Sequence, residues 1–408
     1  GSSNFASKQR SAPFWSAGVR WNIYNEKFMK THGWFENLAV RANIGTVGNQ
    51  NFQLSQIMTL YNFLKMYDGV MGAEIMSIAN PELKWQTTLN RNIGLEFSLL
   101  QGLVNLDFNY YSNITKNNLT DIAILPSTGF STYKANMGKV RNQGYEFSLS
   151  ITPIKKNGWI VNAFVNGAHN KNKLLNISDA LRDYNEVIKE NQTAHLNYAG
   201  YTQLERIFLF EEGQSLNSIF AVRSMGIDPG TGQEIFVTAD GVQTFQWNAA
   251  DQVVVGNTEP TLKGYFGLNV DYKRWSFGAN FQYSFGADRY NKTLYEKIEG
   301  GNFAQNADRR ALTQRWTKPG DIAKYRGYGN TSQLKPTSRF VQKDDFLSMT
   351  SARLSYTLNA NDLQSLGISL LKFTLSTNDL FYVSTIKQER GLSYPFARTF
   401  YFSLQANF

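Results

Sequence analysis

Apolar and polar residues alternate with a period of two along much of this 408-residue chain, down to its last position. In residues 398–408, Phe400, Phe402, Leu404, Ala406 and Phe408 share one strand face, and Thr399, Tyr401, Ser403, Gln405 and Asn407 share the other. That period belongs to a strand with one apolar and one wet surface. Val104, Leu106, Phe108 and Tyr110 oppose Leu103, Asn105, Asp107 and Asn109 in the same way. Ile93, Leu95, Phe97 and Leu99 oppose Asn92, Gly94, Glu96 and Ser98, and Tyr145, Phe147, Leu149 and Ile151 oppose Gly144, Glu146, Ser148 and Ser150. Trp275, Phe277, Ala279, Phe281, Tyr283 and Phe285 oppose Ser276, Gly278, Asn280, Gln282 and Ser284. Charged and amide side chains gather on the non-apolar face, as in a polar lumen. About thirteen strands are predicted, the first near residues 12–24. Alternation is weakest around 201–211 and 216–225.

The connections fall into two classes. Short turns are expected near Gln101-Gly102, at Ile154–Gly158, near Lys273-Arg274 and at Asn359–Gly367, with a slightly longer one over 25–36. Long polar stretches cover about 46–84, 115–138, 171–200, 226–261, 287–343 and 380–395. Short and long alternate strictly. Soluble sandwiches carry loops at both ends, whereas outer-membrane barrels pair short periplasmic turns with longer external loops. Structureless loops of this length also count against a compact soluble domain. No apolar run reaches the ~18 residues of a transmembrane helix, so membrane residence requires a closed barrel. The aromatic end of the last strand resembles the assembly signal of bacterial outer-membrane barrels, carried by Phe400, Phe402, Leu404 and Phe408. A last strand descending to the periplasm makes the first strand descend too, so an odd number of strands is expected upstream. For the ~22 strands of the largest plugged transporters, that number is roughly nine.

Composition narrows the chemistry. Aromatics make up 14% and charged residues only 18%, below the roughly 25% charged content of soluble domains. Cysteine is absent, which excludes disulfides, thiolate metal sites and cysteine nucleophiles. The net charge of +9 is dispersed, with no basic run and no recognition motif, which argues against nucleic acid and suits anionic headgroups or acidic ligands. Gly1-Ser2-Ser3-Asn4 shows no signal peptide, so an upstream part is expected.

The motifs resemble the C-terminal half of SusC/RagA-type TonB-dependent transporters of Bacteroidota outer membranes. Asn43-Ile44-Gly45-Thr46-Val47-Gly48-Asn49-Gln50 is similar to a strand end of that family, with Asn-Ile where Ser-Tyr is usual. Asn80-Pro81-Glu82-Leu83-Lys84-Trp85-Gln86-Thr87-Thr88 and then Asn92-Ile93-Gly94-Leu95-Glu96-Phe97 follow in family order. So do Pro126-Ser127-Thr128-Gly129-Phe130, Asn142-Gln143-Gly144-Tyr145-Glu146-Phe147, Asp228-Pro229-Gly230-Thr231-Gly232 and Gly256-Asn257-Thr258-Glu259-Pro260. Pro336-Thr337-Ser338-Arg339-Phe340 and Asp345-Phe346-Leu347 complete the series, and Gly1-Ser2-Ser3 also looks like a family motif. The resemblance implies an all-β transmembrane antiparallel barrel, of which residues 1–408 are the C-terminal portion. A plug domain and earlier strands would lie upstream, and long loops outside. It implies import of a large nutrient, an oligosaccharide or a peptide, beneath a SusD-like lipoprotein lid and driven by TonB through the plug. Outer-membrane lipid, the barrel assembly machinery and a dimer of transporter–lid pairs are the further partners it raises.

The residues themselves offer no enzyme. His32, His169 and His195 lack metal spacing, Glu211-Glu212 reads as a hydrated turn, and Asp228–Gly232 has neither the carboxylates of a calcium loop nor the Lys-Ser/Thr of a P-loop. No catalytic, cofactor or metal residue is assigned. Trp15, Trp21, Trp34, Trp159 and Trp275 sit at strand ends, as girdle aromatics do, and Trp85 opens a strand at interfacial height. Trp247, Tyr325 and Tyr328 are the loop aromatics able to stack on sugar or contact a partner, weighed against packing inside folded loops. The alternatives are a SusC-like barrel acting as an envelope assembly scaffold, and a soluble β-rich carbohydrate-binding protein or glycosidase.

Overall fold

The computed structural model describes residues 13–29, 35–49, 59–77, 80, 83–123, 130, 132–190, 209–301, 308–329, 334–359, 363, 367–387 and 397–408. Its main sheet is antiparallel and runs in chain order through eleven strands. They are β1 (Ser16–Asn22), β2 (Phe35–Asn49), β3 (Gln86–Leu99), β4 (Val104–Lys116), β5 (Gly138–Lys156) and β6 (Trp159–Ile177). β7 (Leu262–Tyr272), β8 (Trp275–Phe285), β9 (Phe346–Asn359), β10 (Leu370–Asn378) and β11 (Phe400–Asn407) complete it. A twelfth, short strand, Tyr382–Ser384, pairs with the start of β9. Among the described residues β1 and β11 each have a neighbour on one side only.

The register joins the alternating faces into two continuous surfaces. Leu38, Phe97, Leu106, Leu149, Val165, Phe266, Phe281 and Met349 lie opposite one another from β2 to β9. Ile154, Val161, Val270, Phe277, Leu354, Leu375 and Phe402 form a second apolar row from β5 to β11. Trp159, Tyr272, Trp275, Tyr356 and Phe373 make an aromatic row along the short-turn rim. There Trp159 stacks on Tyr272 with centroids 4.1 Å apart. A one-residue slip in any strand would swap these surfaces, so the apolar face fixes the register. It is also the exposed face, with Phe402 at 70% and Phe400 at 60%. An apolar surface this wide on a monomer must be covered by something apolar.

Short connections close by left-handed turn chemistry. Asn157 and Gly158 both have positive φ (55° and 79°) between paired Lys156 and Trp159, the primed turn that matches strand twist and that Gly accommodates without a Cβ clash. The long connections all leave the opposite rim, and they carry structure. Residues 60–77 form a hairpin (Leu60–Tyr67 with Val70–Ser77) whose Phe63, Met66, Val70 and Met71 are exposed, less polar than expected of this stretch. Leu119–Ala123 pairs with Thr132–Asn136, and helix α1 (Asp179–Glu190) follows β6.

Eleven wall strands and the short twelfth stand beside the about thirteen expected, and the weak segments account for the difference. Residues 216–225 fall in strand Ser218–Ile227, which belongs to a separate four-stranded sheet with Glu234–Val237, Gln243–Thr244 and Gln252–Asn257. Ile219, Phe220, Ala221 and Val222 are all buried, so this strand is covered on both faces and shows little alternation. Of 201–211, residues 201–208 lie outside the described residues, and 209–211 form no strand. Residues 178–261 are therefore one excursion. Eleven is odd, as thirteen is, so β1 and β11 still run the same way.

Candidate functional site: the concave polar face and the loop body

The polar residues of the wall line its concave side. Glu96, Asp107, Ser148, Asn166, Tyr265, Gln282 and Ser348 stand opposite one another across seven strands. The adjacent row holds Arg41, Gly94, Asn109, Glu146, Ala168, Lys263 and Ser284. A concavity of about 560 Å³ opens between them, lined by Asp107, Glu146, Ser148, Asn166, Lys263, Tyr265 and Gln282, with Phe147, Gly167, Ala168 and Gly264 also at its surface. Four charges beside it neutralise one another. Arg20 donates to both oxygens of Glu96 (3.0 and 2.6 Å), and Arg41 donates to Glu96 Oε1 at 2.7 Å and to both Asp107 oxygens at 3.2 Å. Exposed pairs add little stability singly. Here they set the charge pattern of the inner surface.

Above the rim, the described residues of the excursions 178–261 and 286–345 pack into one body. The motif Pro336–Phe340 is its clamp, and every residue in it has a partner. Pro336 O accepts from Trp247 Nε1 at 3.1 Å, and buried Thr337 donates to Glu234 Oε1 at 2.8 Å. Ser338 Oγ accepts from Ser224 N at 3.0 Å, and Phe340, 1% exposed, packs edge-on against Tyr295. Arg339 donates to Glu234 (3.1 and 2.9 Å) from one excursion and to Glu299 Oε2 (2.8 Å) from the other. Arg326 Nε takes the second Glu299 oxygen at 2.8 Å. Burial works against the Glu299 charge, but Arg339 and Arg326 outweigh it and hold the carboxyl below the usual range. Burial likewise works against Arg339, and Glu234 and Glu299 reverse it, keeping the guanidinium firmly charged.

Asp228–Gly232 is a turn, as read. Asp228 accepts from Thr231 Oγ1 (2.6 Å), Thr231 N (3.0 Å) and Gly230 N (3.3 Å), which lowers its pKa. Gly232, at φ 71°, lies so close to Trp316 that a Cβ there would meet the indole at 2.5 Å. Trp316 in turn donates to Pro229 O at 2.8 Å, a second tie between the excursions. The body is anchored to the wall through amides: Tyr111 donates to Asn170, and Asn170 and Asn217 donate to the two oxygens of Glu259 (2.6 and 3.1 Å).

The structure separates the three loop aromatics, and for two of them packing inside the folded loops is what it shows. Trp247 (9% exposed) is buried with Val222, Phe236 and Ala249, and Tyr325 (5%) with Ile298 and Ala311. Packing has taken their ring faces, so neither offers a stacking surface. Tyr328 stays 47% exposed, with the Arg315 guanidinium 5.4 Å from its ring centre. Trp15, Trp21, Trp159 and Trp275 are exposed, while Trp34 lies outside the described residues, as do His32 and His195. Half-buried Trp85 packs edge-on against Phe14, with centroids 5.8 Å apart. His169 donates through Nδ1 to Thr261 O at 2.6 Å. Glu212 accepts from Ile177 N (3.2 Å) and Arg182 (3.2 Å), closing the end of β6. Among the described residues no group of three or more metal-ligating side chains converges. Phe400, Phe402 and Leu404 lie on the apolar face opposite Thr377, Leu375 and Phe373, and Phe408 follows, 91% exposed.

Residues 1–205 match the family model described as TonB dependent receptor-like, beta-barrel. The chain belongs to that family. TonB-dependent receptor P39 of Formosa agariphila is 28% identical over 405 residues, covering 90% of this chain and 38% of the receptor. TonB-dependent receptor SusC of Bacteroides thetaiotaomicron is 25% identical over 327 residues, covering 75% of this chain and 31% of SusC. The structure of the RagAB peptide transporter superposes with a TM-score of 0.78 at 24% identity, covering 94% of this chain and 41% of that one. The SusC/RagA-type resemblance of the motifs and the barrel fold are thus borne out. The chain spans less than two-fifths of the length of the curated relatives it matches. For a TonB-dependent barrel the apolar convex face is the lipid-facing one, and the family places such a wall in the outer membrane.

Proposed function

We propose that this chain is the C-terminal part of a SusC-like outer-membrane transporter that imports a large nutrient, an oligosaccharide or a peptide. The observation that carries the reading is the wall itself: apolar outside, polar inside, with every long excursion at one rim. The clamped loop body then stands outside the cell, over the lumen, and the short turns and Phe408 face the periplasm. Relatives more than twice as long leave room for a plug and earlier strands upstream, which would pair with the free edges of β1 and β11. Import energised by TonB through that plug, beneath a SusD-like lipoprotein lid, follows from the SusC likeness. Phe400, Phe402, Leu404 and Phe408 would serve the assembly machinery. Tyr328 is the one loop aromatic retained as a ligand or partner contact.

The test is growth of a strain lacking the whole gene, with peptides or oligosaccharides as the limiting nutrient. Loss of growth on one class, restored by the intact gene, is expected. Unchanged growth on both, with neighbouring envelope proteins depleted from the membrane, would make the protein an assembly scaffold instead.

A further inference from the structure

The inner wall carries two opposite charges that its own network leaves unmatched. Glu146 on β5 and Lys263 on β7 both stand opposite Ala168 of the intervening β6. Two strand spacings separate their Cα atoms, about 10 Å, and the small Ala168 side chain leaves the gap open. Both line the 560 Å³ concavity, yet neither forms an ion pair with another described residue. The nearby charges do not fill this role: Asp107, also in the lining, is paired to Arg41, and Glu96 is shared by Arg20 and Arg41. In the next row of the same concavity stand Ser148, Asn166, the exposed ring of Tyr265 and Gln282.

We infer that this concavity is a subsite for a dipolar ligand, with a cationic group at Glu146 and an anionic group at Lys263, as in a short extended peptide. An extended tripeptide spans about 10 Å between its termini, comparable with the separation of the Glu146 and Lys263 Cα atoms. A neutral oligosaccharide would use Tyr265 and the amides but leave both charges unmatched, and unmatched charge in a site discriminates against a ligand that cannot pair it. The inference names the substrate class for the transport reading and rests on that reading for its physiological meaning.

Binding is measured on the purified full-length protein, with trialanine, N-acetyl-trialanine amide and maltotriose as probes. Trialanine is expected to bind about tenfold tighter than the other two. Glu146→Lys and Lys263→Glu should each abolish that preference, and the double exchange should restore it. Equal affinity for all three probes, or no binding of any, overturns the subsite. So does a pair of single variants that lose thermal stability without altering the preference, since the charges would then serve the packing of the wall or of an upstream plug. Uptake by cells is read separately. Failure of import with the binding preference intact would sink the transport reading, not the site.

Discussion

Replacing Arg339 with methionine is expected to loosen the loop body by about 3–5 kcal/mol, the usual effect of removing one partner from a buried ionic network. The guanidinium is 12% exposed and faces Glu234 and Glu299, whose side chains are 5% and 0% exposed. Methionine fills much of the volume and leaves two carboxylates with one remaining guanidinium, that of Arg326. Amide hydrogen exchange reads the result: protection of Ser218–Ile227 and Thr293–Glu299 should fall, while β7 and β8 stay protected. A double variant, Arg339→Met with Glu234→Gln, should regain most of the loss, because Glu299 keeps its Arg326 partner and no buried carboxylate is left without a cation. Acid acts on the same contact. The Glu299 pKa is depressed in the folded body, so its contribution is complete above the ordinary carboxylate value of about 4.3 and disappears as pH falls through the lower folded value. Loss of protection at neutral rather than acidic pH would contradict the clamp.

Phe281 and Gln282 are neighbours in β8 that the wall sends to opposite media. Arginine at Phe281 is expected to destabilise the barrel by about 2–4 kcal/mol, the cost of a cation on the lipid face near the bilayer centre. It also removes a ring stacked on Phe266 at 4.8 Å, worth about 0.5–1.5 kcal/mol. Arginine at Gln282 enters the wet concavity and should stay within about 0.5 kcal/mol of the native protein. Urea unfolding in lipid vesicles, followed by heat-modifiable gel migration, measures both. Equal effects would deny that the two faces meet different solvents.

The wall was legible because its constraint is local. One face meets lipid and the other water, so each strand from β2 to β11 carries its own period and each turn its own breaker, such as Asn157-Gly158. The loop body was not legible for the opposite reason. Its four-stranded sheet is covered on both sides, so Ile219, Phe220, Ala221 and Val222 form an apolar run in place of alternation. Its stability comes from contacts between distant residues: Arg339 lies 105 positions from Glu234. The motif Pro336–Phe340 was visible as a motif, but nothing in the sequence paired it with Glu234 or Glu299. Trp247, Tyr325 and Tyr328 were not separable on the same account, since loop aromatics look alike until it is known which loops pack against each other. Glu146 was placed on a polar surface by parity, but only the register set it across Ala168 from Lys263.

The most direct measurement uses the absence of cysteine from these 408 residues. Single cysteines placed from Ser276 to Ser284 in the full-length protein, in outer-membrane vesicles, are exposed to a small charged thiol reagent that stays in water. Positions 276, 278, 280, 282 and 284 should label, and 277, 279, 281 and 283 should remain protected. Labelling without that period of two, or in the opposite phase, would contradict a wall with lipid on its apolar side and a water-filled lumen on the other.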